Sequence, residues 1–201
     1  MVTVTTCTAL GKGKYRFHLD NGTELVLYRG EARQFQLQEG KTLSDEEEHQ
    51  LIYEVLGKRA KRRTMHLLEQ MDRTEQQLRD KLKQGGYPQA CIDLALEYVK
   101  SFHYVDDYRY ACTYIRYRQE RMSRYQLKVK LYGKGVPGDL IDRALTECYE
   151  GDEIEQIIHL LEKKKFDAQN ADTKEFTRVY QYLMRRGFRS NDVLRAMKNK
   201  Q

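Results

Sequence analysis

The sequence predicts a mainly α-helical protein, with tandem three-helix repeats in an elongated, curved stack behind a small N-terminal segment that contains a β-hairpin. Three observations predict this class. The first forty residues are rich in β-branched and aromatic residues in rough alternation, which is typical of strands. From Ser44 onward the apolar residues follow helical spacing instead. Within that helical part, one pattern of apolar and glycine positions occurs three times, at intervals of 49 and 52 residues.

The N-terminal segment is predicted to form three strands joined by tight turns. Asp20-Asn21-Gly22 is a hairpin signal, because Asn and Gly tolerate the positive φ angles of a tight turn. A short helix is expected around Glu31–Gln36. The first long helix is predicted to begin after Ser44, whose side chain can cap the exposed N–H groups, with acidic residues in the first turn. The predicted strands are Val2–Ala9, Tyr15–Leu19 and Glu24–Tyr28.

Each copy of the repeat contains a helix that ends at a glycine and a second helix that follows at once. The glycine can take the left-handed conformation that closes a helix, and the apolar residue after it can fold back on the last turn. Pro88 and Pro137, the only prolines of the chain, stand where the following helix begins. The repeated positions are Leu78, Leu82, Gly86, Tyr87, Ile92 and Leu96; Leu127, Leu131, Gly135, Val136, Ile141 and Leu145; and Val179, Leu183, Gly187, Phe188, Val193 and Met197.

An amphipathic segment precedes each copy and completes a three-helix unit. These segments are Arg59–Met71, Tyr108–Arg121 and Glu153–Phe166. Because such units bury their apolar faces partly against their neighbours, three of them are expected to stack. The predicted division is residues 1–50 for the N-terminal segment, 51–105 for the first repeat, 106–150 for the second and 151–201 for the third.

Composition and charge indicate the location of the protein and the kind of partner that it binds. No run of apolar residues is long enough to span a membrane, and no secretory signal is visible, so a cytoplasmic protein is expected. The four cysteines lie far apart, which indicates reduced thiols. The net charge of +6 is concentrated in residues 58–147, where 19 basic residues face 12 acidic ones. A local excess of this kind indicates a polyanion or an acidic protein surface as partner.

The sequence lacks the motifs that are typical of catalytic, cofactor-binding and metal-binding sites. An enzyme is therefore not expected, and neither a cofactor nor a metal is predicted. Gly11-Lys12-Gly13-Lys14 lacks the spacing of a phosphate-binding loop. The five histidines are scattered, and no serine lies in a nucleophile elbow. Asp106-Asp107 is the one notable carboxylate pair, and it is interpreted as the cap of the helix that begins near Tyr108.

A basic and aromatic run extends from Tyr108 to Lys134, with Glu120 as its only acidic residue. Helical spacing predicts that Tyr110, Ala111, Tyr114 and Ile115 form a buried stripe. The basic side chains are then left either on a solvated face or in contact with an anion, and the second interpretation is favoured. The candidate contact residues are Arg116, Arg118, Arg121, Arg124, Lys128, Lys130 and Lys134.

Three segments of the chain resemble the RecX family. Tyr104-Val105-Asp106-Asp107-Tyr108-Arg109-Tyr110-Ala111, followed by Tyr114-Ile115 and Arg118, is similar to that family's signature in its second repeat. The spacing from Leu127 through Lys134-Gly135-Val136 to Leu145, and the segment Tyr182–Phe188, fit its later helices. The resemblance covers residues 58–199. His103 and Met122-Ser123 depart from it, since the family often has glycine at these places.

The resemblance implies a regulator of the RecA recombinase. Family members bind the RecA–DNA filament in its groove and dampen ATP hydrolysis, strand exchange and coprotease activity in DNA repair, recombination and the SOS response. They have no catalytic residues. The partners expected here are the RecA nucleoprotein filament and DNA, single- or double-stranded, within the filament or weakly alone. The protein itself is expected to be a monomer.

Two alternatives stay open beside this interpretation. A general nucleic-acid-binding helical repeat protein would bind naked DNA nearly as well as RecA-coated DNA. A protein-only helical scaffold would instead pair its basic run with acidic side chains of another protein. Binding measured on naked DNA and then on RecA filaments separates the three functions.

Overall fold

The computed structural model describes residues 1–198, so the last three residues of the predicted third repeat lie outside the described part. The chain forms two compact units, Met1–Asp106 and Asp107–Gln201. The predicted class is confirmed, since tandem three-helix repeats follow a small antiparallel strand segment. The finer division of the chain at residues 50, 105 and 150 stays a prediction.

The N-terminal strands are β1 Val2–Gly11, β2 Lys14–Leu19, β3 Glu24–Tyr28 and β4 Thr42–Leu43. They form an antiparallel sheet in the order β3-β2-β1-β4. The three predicted strands are confirmed, whereas the two-residue β4 is too short to leave an alternating pattern. Gly22 has φ +81°, and the Thr23 amide donates to Asn21 Oδ1 at 3.0 Å, so the predicted hairpin signal forms the turn.

Apart from the short helix Arg29–Gln34, which lies between β3 and β4 in the chain, the helices of the first unit follow the sheet. The predicted cap at Ser44 is confirmed: Ser44 Oγ accepts from the Glu47 amide at 3.1 Å, and the Glu47 carboxylate accepts from the Ser44 amide at 2.8 Å. This reciprocal pair satisfies two amides that a helix start leaves without partners. The helices are α1 Arg29–Gln34, α2 Asp45–His49, a π-helical segment Gln50–Gly57, α3 Lys58–Gln70, α4 Glu75–Gln84 and α5 Gln89–Ser101.

The sheet and the first three-helix repeat share one hydrophobic core. Buried side chains of the strands, such as Phe17 and Leu27, belong to the same cluster as Leu56, Leu78 and Ile92 of the helices. Because the sheet buries one face against the helices, it can be stable although it is small. The N-terminal segment therefore packs on the first repeat and is not an independent arm.

The second unit contains two further three-helix groups, each with its own core. The apolar positions predicted from the repeat are at most 5% exposed in this unit, from Leu127 to Met197, so the period of the sequence matches the burial. The helices are α6 Asp107–Arg118, α7 Arg124–Tyr132, α8 Gly138–Cys148, α9 Glu153–Lys163, α10 Thr173–Arg185 and α11 Ser190–Lys198.

The repeated glycines close helices as the sequence predicts. Gly86, Gly135 and Gly187 have φ values of +75°, +80° and +78°. At the second of them, the Val136 amide donates to the Leu131 carbonyl at 3.2 Å, which is the six-residue closure of a Schellman motif. His103 also has a positive φ, of +55°, at a place where the RecX family often has glycine. The backbone of that turn explains why glycine suits the position.

Ser123 joins the two helix groups of the second unit. Its side chain is fully buried, and its Oγ accepts from the Gln126 amide at 3.2 Å as the cap of α7. The same hydroxyl donates to the Arg186 carbonyl, at the end of α10, at 2.6 Å. One hydroxyl thus satisfies the beginning of one helix and the end of another.

Candidate nucleic-acid interface

The candidate contact residues lie along the end of α6, the turn after it, and α7. Arg118 is the last residue of α6 and Arg124 is the first residue of α7, so Arg121 lies in the connecting turn and not on a helix. The helices on either side of this turn are held by the buried residues Ile115 and Leu127. A rigid helical pair therefore supports the turn and its basic side chains.

The predicted buried stripe of α6 is confirmed for its two aliphatic residues and only partly for its tyrosines. Ala111 and Ile115 are fully buried. Tyr110 and Tyr114 are half-buried and stacked, with 6.4 Å between ring centroids. The Lys134 ammonium lies 5.9 Å and 5.3 Å from the centroids of these two rings. The rings are therefore at the edge of the core, where they hold Lys134 against the second repeat.

Arg124 is exposed, but its side chain and its backbone amide both have partners within the fold. Its guanidinium donates to the Leu145 carbonyl at 3.0 Å and lies 5.0 Å from the centroid of the Tyr149 ring. Its backbone amide donates to the Glu153 carboxylate at 2.8 Å. Burial, the largest influence, raises the pKa of the Tyr149 hydroxyl. Arg124 therefore connects α7 to the end of α8 and the beginning of α9, a role that its place in the basic run does not reveal.

Lys128 and Arg116 also have partners within the second repeat. Lys128 forms an ion pair with Asp142, and the hydrogen bond between them raises the pKa of the lysine. The Arg116 guanidinium lies 4.0 Å from Cys148 Sγ. The carboxylate of Asp142 therefore compensates the positive charge of Lys128. Arg116 has only a weak sulfur acceptor, so its positive charge is not compensated.

The remaining candidates, Arg118, Arg121 and Lys130, are exposed and carry charge that nothing nearby compensates. Within residues 1–198 their side chains form no hydrogen bond and no ion pair. The same run of sequence contains exposed aromatic rings, with Tyr117 83% exposed and Tyr125 60% exposed. Exposed guanidinium groups can contact phosphates, and exposed tyrosine rings can stack on bases. The seven predicted contacts thus separate into residues held by the fold and residues open to a ligand.

Replacing Arg124 by alanine should destabilise the second unit, in contrast to replacing Arg118. Arg124→Ala removes the hydrogen bond to Leu145 and the contact with Tyr149, so we expect a loss of about 1–2 kcal/mol in the free energy of unfolding. Arg118→Ala should change it by about 0.5 kcal/mol or less, as is typical of an exposed side chain. Urea denaturation of both variants checks this, and equal midpoints would contradict the structural role of Arg124.

A second concentration of basic residues lies in the first unit and was missed by reasoning from the sequence. Arg59 and Arg63 of α3 meet Lys14 of β2 and Lys81 of α4 around one cleft. The contribution of α3 to this basic cluster does have a signal in the sequence, since the helix begins with a run of basic residues, Lys58, Arg59, Lys61, Arg62 and Arg63. The convergence with β2 and α4 has no signal in the sequence, because those residues are far apart along the chain.

Among residues 1–198, no group of three or more His, Cys, Asp or Glu side chains is placed to hold a metal ion. The four cysteines are free, and burial raises the pKa of the Cys91 thiol to about 12. Over the same residues, no helix has both the length and the apolar character needed to cross a membrane.

Family models match most of the repeat region. The model described as the first three-helix domain of RecX matches residues 60–98, the second matches 106–145 and the third matches 151–197. The basic turn with Arg118 and Arg121 lies within the match to the second domain.

Curated relatives and solved structures agree with these models. The regulatory protein RecX of Caldanaerobacter subterraneus subsp. tengcongensis is 28% identical over 187 residues, which cover 92% of this chain and 88% of the relative. The regulatory protein RecX of Trichlorobacter lovleyi is 36% identical over 138 residues, covering 66% of this chain and 89% of the relative. A crystal structure of a regulatory protein RecX, 22% identical, covers 100% of both chains with a TM-score of 0.66 and shares the fold.

Proposed function

Because this chain belongs to the RecX family of regulatory proteins, we propose that it binds the RecA–DNA filament and inhibits the recombinase, ATPase and coprotease activities of RecA. This function places the protein in DNA repair, recombination and the SOS response. It needs no catalytic residue and no cofactor, and the protein acts as a cytoplasmic monomer.

One observation supports contact with DNA. Arg118, Arg121 and Lys130 are exposed and carry positive charge without an acid partner in the part of the chain that the structure describes. When basic side chains without internal partners contact phosphates, the counterions condensed on the DNA are released, which makes binding favourable and dependent on salt. Arg116 supports this surface as a further exposed charge, whereas Arg124, Lys128 and Lys134 are engaged with the second repeat itself.

The test compares naked DNA with RecA-coated DNA, and it includes RecA's own activity. We expect the full chain to lower the ATPase activity of RecA on single-stranded DNA at ratios up to one per RecA, and to bind the filament more tightly than naked DNA. Steady-state ATP hydrolysis measures the first effect, and fluorescence anisotropy of a labelled strand measures the second. A preparation of the protein without RecA controls for contaminating ATPase activity.

The alternatives predict different results in the same experiment. A general nucleic-acid-binding protein would bind naked DNA nearly as well as the filament. A protein-only scaffold would not bind naked DNA through the basic turn, and any binding to the filament would not depend on that turn. Unchanged ATP hydrolysis by RecA over the whole range of ratios would contradict the proposed inhibition.

A further inference from the structure

A basic cleft lies between the sheet and the helices of the first unit. Its walls are formed by the β2–β3 hairpin, by α3 and by the end of α4, and its volume is about 480 Å³. Small-molecule sites in proteins commonly have volumes of about 300–1,000 Å³. The residues that line it include Lys14, Tyr28, Arg59, Arg63, Lys81 and Tyr87. The lining contains four basic residues and no acidic residue.

The charges of this cleft are only partly compensated by the fold. Arg59 forms an ion pair with Glu31, which is not among the lining residues. Lys14 has an aromatic partner instead of an acid, with its ammonium 5.2 Å from the centroid of the Tyr28 ring. Arg63 is exposed and has no hydrogen bond or ion pair of its side chain within residues 1–198. The cleft therefore keeps about three uncompensated positive charges, which favour an anion.

Arg59 fixes the shape of the cleft. Its guanidinium donates to Glu31 and to the Val26 carbonyl, and it lies 5.1 Å and 5.3 Å from the ring centroids of Tyr28 and Tyr87. Burial raises the pKa of Tyr87, and the neighbouring guanidinium opposes that rise. A guanidinium fixed by these contacts keeps the wall of the cleft in place, so the uncompensated charges of Lys14, Arg63 and Lys81 surround a preorganised surface.

Lys81 of α4 is the fourth basic residue that lines the cleft. It is exposed and donates to Gln84 Oε1 at 3.5 Å, a long contact that an anion can replace. Lys81 and Arg63 belong to different helices of the same repeat, so two exposed basic side chains line the cleft together with the fixed guanidinium of Arg59. This arrangement provides several donors for the oxygen atoms of a phosphate.

We propose that this cleft binds a phosphate group of a nucleotide, either within a DNA strand or in a free nucleotide. The convergence of Lys14, Arg59, Arg63 and Lys81 on a cavity without acidic lining supports phosphate over a cation or an uncharged ligand. The cleft lies on the first unit, away from the basic turn of the second repeat in the sequence. The inference therefore goes beyond the proposed inhibition of RecA and does not require it.

The chain offers a matched control for the test. Arg62 stands next to Arg63 but lines a different cavity, together with Lys58 and Lys61. Lys83 lies two residues after Lys81 and lines a cavity on the acidic side of the unit, with Glu48. The double variants Arg63→Ala/Lys81→Ala and Arg62→Ala/Lys83→Ala remove the same charges from the same two helices, but only the first changes the cleft.

The experiment measures binding of the full-length variants to defined phosphate probes in the absence of RecA. A labelled oligothymidylate is followed by anisotropy at several salt concentrations, and ATP and inorganic phosphate are titrated calorimetrically. We expect Arg63→Ala/Lys81→Ala to weaken the affinity roughly tenfold for at least one nucleotide probe, since two charge-assisted contacts are lost. For the oligothymidylate, the slope of log K against log salt should fall by about 1.4, at about 0.7 per contact with a single strand.

The probes distinguish the source of the phosphate. A loss confined to the oligothymidylate indicates a DNA strand, and a loss for ATP indicates a free nucleotide. Thermal melting of both double variants shows whether the first unit remains folded. Equal effects of the two double variants on binding, or no binding of any probe by the unaltered chain, would overturn the proposal. Because RecA is absent from these binding measurements, neither result affects the separate test of RecA inhibition.

Discussion

Replacing Gly187 by alanine is expected to lower the free energy of unfolding of the second unit by about 2–5 kcal/mol. The residue has φ +78°, a left-handed conformation that costs an L-residue about 1–2 kcal/mol. In addition, a Cβ at this position would lie 2.7 Å from Tyr125 Cγ and 2.8 Å from Tyr125 Cβ. Relief of such overlap typically costs about 1–3 kcal/mol.

Gly40→Ala is the control for the backbone cost alone. Gly40 has φ +82°, and nothing lies within 4 Å of the added Cβ, so we expect a loss of only about 1–2 kcal/mol. Tyr125→Ala in the Gly187→Ala background should restore part of the stability, because it removes the opposing ring. Chemical denaturation measures all of these variants. Equal losses at Gly40 and Gly187, without any recovery, would disprove the close packing of Tyr125 on Gly187.

The triple variant Arg118→Ala, Arg121→Ala, Lys130→Ala is expected to give the largest loss of filament affinity. If each side chain contacts a phosphate, the slope of log K against log salt should become shallower by about 2–3 units, at about 0.7–0.9 per contact. The free energy of unfolding should change little, because these side chains are exposed and form no hydrogen bond within residues 1–198. Arg124 is left intact, since its loss would disturb the fold as well.

The measurement uses labelled RecA filaments on single-stranded DNA at several salt concentrations, with thermal melting alongside. The control triple variant Lys163→Ala, Lys174→Ala, Arg195→Ala removes the same number of charges from exposed positions of the third helix group. It should bind like the unaltered chain. If the two triple variants lose affinity to the same degree, net charge alone is responsible and the basic turn is not the contact surface.

The sequence by itself determined the elements and their repetition. The alternation of Val2 to Ala9, the turn at Asn21-Gly22 and the cap at Ser44 each depend on contacts among near neighbours, so they can be read locally. The same holds for the glycines that close helices and for the apolar positions of each repeat, because helical spacing alone assigns them to one face. The resemblance to the RecX family rested on these same residues.

Only the tertiary structure decided which basic residues are open to a partner. Arg118 and Arg124 are equivalent in the sequence, but Arg124 reaches the Leu145 carbonyl at the end of α8, whereas Arg118 reaches no acceptor within the described residues. The cleft of the first unit likewise brings Lys14 to Lys81 across 67 residues of chain. The physical reason is that a side chain's charge is compensated by whatever the fold places within hydrogen-bonding distance. That distance is set by packing between helices and strands, which spacing along a single element does not encode.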